Sequence, residues 1–135
     1  MSKTIIEAAI DINTSADKVW RVFTDPSVSR QMGGAYITDW QKGSTISWQG
    51  LDGTLYTNGT ILDIRPGKLL QHNLYGTDGL SVLSVITYTF ETHKAHTTLS
   101  AREVLSKAVP TEEYVNMLEG WHTALELLKS LAEKL

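Results

Sequence analysis

The sequence predicts an α+β fold: a curved, mainly antiparallel sheet of about six or seven strands wrapped around one long C-terminal helix, with two short helices after the first strand. Three observations predict it. Tyr114, Met117/Leu118, Trp121, Leu125, Leu128, Leu131/Ala132 and Leu135 recur at helical spacing and mark a single amphipathic helix over 110–135. Upstream, short alternating stretches are separated mostly by Gly-containing turns too short for crossover helices, so neighbouring strands must run antiparallel. A helix of roughly 25 residues is also about 37 Å long at 1.5 Å per residue, and so needs something wide to lie across.

Taken in order, Thr4 to Ile12 alternates, with Ile6, Ala8, Ile10 and Ile12 on one face and Glu7 and Asp11 on the other, as in a half-buried strand. Ser15 is a good N-cap for a helix over Ala16 to Thr24, which gathers Val19, Trp20 and Phe23 on one side. Asp25-Pro26 stops it and starts a second short helical turn around Ser27 to Met32, closed by Gly33-Gly34. Strands follow at Tyr36–Gln41 (a weak pattern), Ser44–Gln49, Leu55–Ile64, Lys68–Tyr75, Val82–Glu91 and His96–Glu103. In Leu55–Ile64 the apparent inner face is Tyr56, Asn58, Thr60, Leu62 and Ile64; in Val82–Glu91 it is Ser84, Ile86, Tyr88 and Phe90. The Lys68–Tyr75 strand reads almost equally well with Leu70, His72 and Leu74 inside or with the opposite set inside. Pro110 suits the start of the long helix, and Thr111 offers a capping oxygen.

At 135 residues, 41% hydrophobic and 20% charged, the chain fits one domain spanning 1–135. A net charge of -3 gives no electrostatic reason to expect nucleic acid or an anionic membrane. There is no cysteine, which removes disulfides and thiol chemistry. The N-terminal segment lacks the apolar run and small-residue cleavage site of a secretory leader, and no stretch is long enough for a membrane span, so a cytoplasmic location without stable membrane association is expected.

The order of elements and several motifs resemble the START/Bet v 1-like superfamily, also called the helix-grip or SRPBCC fold, and within it the bacterial branch related to the C-terminal domain of the activator of Hsp90 ATPase. Ile10-Asp11-Ile12-Asn13-Thr14-Ser15-Ala16-Asp17-Lys18-Val19-Trp20 is similar to the family's strand, turn and "VW" helix. Gly43–Trp48, Gly59–Leu69, Ile86–Glu91 and Glu119-Gly120-Trp121 through Leu125 and Leu128 continue the likeness over almost the whole chain. The chain departs from the branch at Gln31-Met32-Gly33-Gly34, where a Trp is usual, and at Arg102-Glu103, where His- or Thr-rich text is common. The resemblance implies the fold and a space between sheet and helix; it carries no shared catalytic set.

Trp48, Tyr56, Tyr88, Tyr114, Met117 and Trp121 fall on expected inward faces, where they are either ordinary core or the wall of a cavity. Asn58 and Thr60 favour the cavity, since buried polar groups need partners such as water or a ligand. His72 and Glu103 are the titratable groups of inward parity, and a Glu103–His72 or Glu103–His122 pairing is the one conceivable acid–base couple. His93 and His96 flank a hairpin tip without the acids or cysteines of a metal site, so no metal and no cofactor is expected. No phosphate loop, nucleophile elbow or dinucleotide fingerprint is present. The resulting expectation is a domain, monomer or homodimer, that binds a hydrophobic, lipid-like small molecule between helix and sheet. Two other classes stand beside it: a chaperone-associated interaction module, and a cyclase- or dehydratase-type enzyme using the same cavity as a mould.

Overall fold

A computed structural model describes residues 2–135 of the chain. Met1, at the head of the segment read above for a leader, lies outside the described residues. Strand β1 (Ser2–Ile12) is followed by helices α1 (Ala16–Thr24) and α2 (Pro26–Ser29) and a 3-10 turn at Arg30–Met32. Strands β2 (Gly34–Ile37), β3 (Thr45–Gly50), β4 (Leu55–Arg65), β5 (Leu69–Tyr75), β6 (Val82–His93) and β7 (His96–Pro110) precede the closing helix α3 (Thr111–Glu133). The seven strands form one sheet in the order β1-β7-β6-β5-β4-β3-β2, every neighbouring pair antiparallel. This is the expected α+β arrangement, a meander from β2 to β7 with the first strand added beside the last.

Local chemistry explains most boundaries. Ser15 caps α1 by accepting from the Lys18 amide, and the Asp25 side chain then accepts from Ser27 to start α2 with Pro26 in its first turn. Gly33 ends the 3-10 turn in the left-handed region at φ 101°. Pro110 occupies the N-cap position of α3 and, as a proline, makes no side-chain cap itself. β7 also runs past Glu103 to Pro110, because β1 pairs with its far end beyond the reach of β6.

The core lies between the sheet and the second half of α3. Ile12, Val19, Leu70, Leu99, Leu128 and Ala132 belong to one buried cluster. All four buried residues of α3 (Leu125, Leu128, Leu131 and Ala132) sit in that half. Polar ties fix the same end: the Lys129 ammonium donates to the Asp11 carbonyl at 2.9 Å, the Asn13 amide to the Glu133 carboxylate at 2.8 Å, and the Lys18 ammonium to the Leu135 carbonyl at 2.8 Å. The first half of α3 is different. Tyr114, Met117, Leu118 and Trp121 are only half-buried, so this part covers the sheet loosely.

A β-bulge in β4 decides which residues face that half. Ile61 pairs with His72 but Asp63 pairs with Gln71, so Leu62 is an extra residue and the alternation flips there. After the bulge Ile64 packs against the core; before it, Ile61, Gly59 and Thr57 hold the inward parity. The expected inner face of Tyr56, Asn58 and Thr60 is therefore the outer face. Gly59 is required at its position, since a Cβ there would stand 2.0 Å from the Asn73 carbonyl oxygen. In β5 the Leu70–His72–Leu74 set points inward, resolving the alternative left open by its sequence.

Candidate functional site

Between the inner face of the sheet and α3 lies a cavity of about 310 Å³. Helix α1 contributes Val22 and Phe23, and the 3-10 turn contributes Met32. The strands supply Tyr36, Trp48, Thr57, His72, Leu74, Ile86 and Tyr88, one or two inward positions each from β2 to β6. Helix α3 closes the space with Trp121, Ala124, Leu125 and Leu128. The rings meet mostly edge to face: Phe23 with Tyr88 at 4.9 Å between centroids, Tyr36 with Trp48 at 5.0 Å, and Tyr88 with Trp121 at 5.7 Å. Gly34 makes room for the Trp48 indole, whose atoms would lie 2.7 Å from a Cβ at that position.

The polar groups are few and mostly occupied. The Thr57 hydroxyl accepts from the Trp48 amide at 3.1 Å. Burial raises the Tyr36 and Tyr88 phenols, Tyr88 well above the usual range, so both are neutral at ordinary pH. Burial pushes the His72 imidazole below its ordinary value, opposed by its bond to the Asn73 carbonyl and by the Glu103 charge. Its Nδ1 lies 3.0 Å from that carbonyl oxygen, and among the described residues its Nε2 has no partner.

Glu103 sits just beyond Trp121. Its carboxylate accepts from the Ser84 hydroxyl at 2.7 Å and from the Trp121 indole N–H at 3.0 Å, tying β7 and β6 to the middle of α3. Among the described residues no cation pairs with it. A second, more open space lies on that side, lined by Tyr88, Glu103, Met117, Gly120, Trp121 and Ala124. Tyr88, Trp121 and Ala124 line both spaces, so the Trp121 indole is part of the partition between them.

Of the residues singled out from the sequence, Trp48, His72, Tyr88 and Trp121 line the cavity, and Glu103 and Met117 border the adjoining space. Tyr114 is half-buried on α3 and belongs to neither lining. Three placements are corrected by the β4 bulge. Tyr56 is 64% exposed, Asn58 is exposed and accepts from Ser47 at 2.7 Å, and the Thr60 hydroxyl bonds the Tyr75 hydroxyl at 2.9 Å on the outer face. The expected Glu103–His72 and Glu103–His122 couples are not formed: Ser84 and Trp121 occupy the carboxylate, and His122 is exposed. His93 and His96 stack at 5.0 Å, and among the described residues no three His, Asp or Glu gather as a metal site would need. Sequence reasoning passed over Phe23, Tyr36, Thr57 and Leu74 as site residues. Thr57 was findable only with the bulge in hand, whereas Phe23 was visible as the inner face of α1.

Residues 13–133 match the model of the family described as activator of Hsp90 ATPase homolog 1-like protein. No curated protein matches the chain. Among solved structures, ChR145 from Cytophaga hutchinsonii is 25% identical, with a TM-score of 0.78 over 99% of this chain and 97% of that one. The Aha1 dimer from Colwellia psychrerythraea is 18% identical, with a TM-score of 0.77 and 97% of each chain covered. DynU16, a protein of the dynemicin biosynthetic locus, is 18% identical with a TM-score of 0.80 over 97% of this chain, which spans 48% of that longer one. These likenesses carry the helix-grip fold expected from the sequence motifs. Among the described residues no helix is long and apolar enough to cross a membrane.

Proposed function

The chain belongs to the activator of Hsp90 ATPase homolog 1-like family, and from that premise we propose that it binds a hydrophobic small molecule in the cavity beneath α3. The observation that carries the reading is a space of about 310 Å³ walled almost wholly by aromatic and aliphatic side chains, with single polar atoms at its edge. Small-molecule sites have this character, at about 300–1,000 Å³. The first half of α3 is its cover. Burying no residue fully, that segment gives way to a ligand at less cost than the anchored second half. Burial of apolar surface supplies the affinity at ~25 cal/mol per Å² before association costs.

Native mass spectrometry of protein purified from its own cells tests this directly. A mass excess lost on denaturation is expected, and it should diminish in Trp48→Ala and Trp121→Ala while persisting in Tyr56→Ala, whose side chain lies outside the cavity. A carried mass indifferent to both tryptophans would remove the cavity from the reading. The chaperone-associated alternative has the family description behind it. The cyclase- or dehydratase-type alternative uses the same cavity as a mould with one acid or base from His72, Glu103 or a tyrosine, and of these the Glu103 carboxylate is already engaged by Ser84 and Trp121.

A further inference from the structure

We propose that the cavity selects ligands carrying a hydrogen-bond donor, specifically a hydroxyl on a flat aromatic frame, and that this hydroxyl closes on Nε2 of His72. The inference rests on the cavity being the binding site. His72 is 3% exposed. Its Nδ1 lies 3.0 Å from the Asn73 carbonyl oxygen, and a carbonyl only accepts, so Nδ1 carries the proton. Burial keeps the ring neutral, which leaves Nε2 as a bare acceptor. Among the described residues it is the one buried side-chain nitrogen or oxygen without a partner. Nδ1 is turned back to the strand's own backbone, so Nε2, across the ring, lies on the side away from that carbonyl, and the imidazole lines the cavity.

The neighbours do not answer it. Tyr36 and Tyr88 flank the imidazole with ring centroids at 6.3 and 6.4 Å, yet neither hydroxyl bonds Nε2. Glu103 is held by Ser84 and Trp121. A buried acceptor left open costs free energy that a donor from the ligand recovers, whereas an ether or ketone oxygen would set lone pair against lone pair. The rest of the wall defines the frame. Phe23, Tyr36, Trp48, Tyr88 and Trp121 offer ring edges and faces to a planar hydrocarbon, and no Lys or Arg lines the space to hold a carboxylate.

The test uses three matched probes, naphthalene, 2-naphthol and 2-methoxynaphthalene, titrated at pH 7.5 by calorimetry and by quenching of tryptophan emission. The wild-type chain is expected to bind the naphthol about tenfold more tightly than its methyl ether. In His72→Phe, checked for folding by circular dichroism, the naphthol should fall to the level of the ether. Because that variant can fail to fold, the wild-type chain with 15N-labelled histidine supplies an independent readout. The His72 Nε2 resonance should be that of an unprotonated nitrogen and should move when naphthol, but not naphthalene, is added. Equal binding of all three probes to the wild-type chain, or a protonated Nε2, overturns the role of His72 while leaving the cavity as a binding site. Failure of all three to bind the folded chain overturns the cavity reading and this inference with it.

Discussion

Replacing Glu103 measures how firmly the middle of α3 is tied to the sheet. Its carboxylate is 8% exposed and accepts from Ser84, itself 2% exposed, and from the half-buried Trp121 indole. Glu103→Ala leaves two donors without their acceptor. The Ser84 hydroxyl has no water to turn to and costs about 1–3 kcal/mol, while the indole can reach solvent and loses about 1 kcal/mol, for a total of about 2–4 kcal/mol. Glu103→Gln behaves differently. An amide can turn its oxygen to the indole N–H and its NH2 to the Ser84 hydroxyl, which accepts as well as donates, so both contacts survive. The stronger charge-assisted bonds are lost, but so is the cost of burying a carboxylate without a cation, and the net change should stay within about 1 kcal/mol. Urea unfolding followed by tryptophan emission resolves the two, and the native-state emission of Glu103→Ala should also shift to the red as Trp121 loosens. Losses of equal size in both variants would refute the hydrogen-bond account and make the charge itself the stabilising element. A loss below about 0.5 kcal/mol in Glu103→Ala would show that the tie carries no weight.

Two further outcomes follow from single residues. Gly120 lies in the interior of α3, is exposed, and has open space where a Cβ would stand, so Gly120→Ala should stabilise the fold by up to about 1 kcal/mol and raise Tm by about 3–5 °C in calorimetry. Burial holds the His72 imidazole below its ordinary value of 6.5, so the unfolded chain binds the proton more tightly than the folded one. Stability should therefore fall as pH drops from about 6.5 toward the lower folded value, and urea midpoints of wild type and His72→Phe should converge or cross over that interval, since the variant lacks this dependence. Tyr36 and Tyr88, which face the ring, stay neutral throughout, and Asp78, lowered to about 2, titrates well below it.

Legibility of this fold in the sequence tracked the strength of local patterns. The α3 stripe, the Ser15 cap of α1 and the inward set Ser84–Ile86–Tyr88–Phe90 each follow from one uninterrupted period, and the structure has them where the period puts them. The face of β4 did not follow, because a period of two carries no memory across an inserted residue. With Leu62 and Ile64 read in one register, Tyr56, Asn58 and Thr60 fall in line with them; the bulge at Leu62 breaks that line. The signal that could have exposed it is Gly59, whose bare backbone is needed only if position 59 turns toward its neighbour's carbonyl. For the same reason the cavity was legible as a place but not as a list. Tyr36 was hidden in a strand of four residues, too short to show a period, and the partners of Glu103 come from β6 and α3, a meeting that no spacing along the chain encodes.

In the proposed binding mode the two halves of α3 separate stability from binding. Leu125, Leu128, Leu131 and Ala132 are buried, and Lys129 and Glu133 tie that end to β1 and the turn after it, so its removal from the sheet would cost the core. The half from Thr111 to Gly120 buries no residue fully, and one glycine lies where the two regimes meet. Trp121 stands at that junction: its ring forms part of the wall between the cavity and the adjoining space, and its N–H is held by Glu103. A helix built this way can lift its first half without unfolding its second, provided the Glu103 bond yields. On that reading the same carboxylate that stabilises the closed arrangement also sets how readily the cavity opens, and a change there should alter ligand exchange rates more than a change at Leu131, which is buried but lines neither space and should alter stability alone.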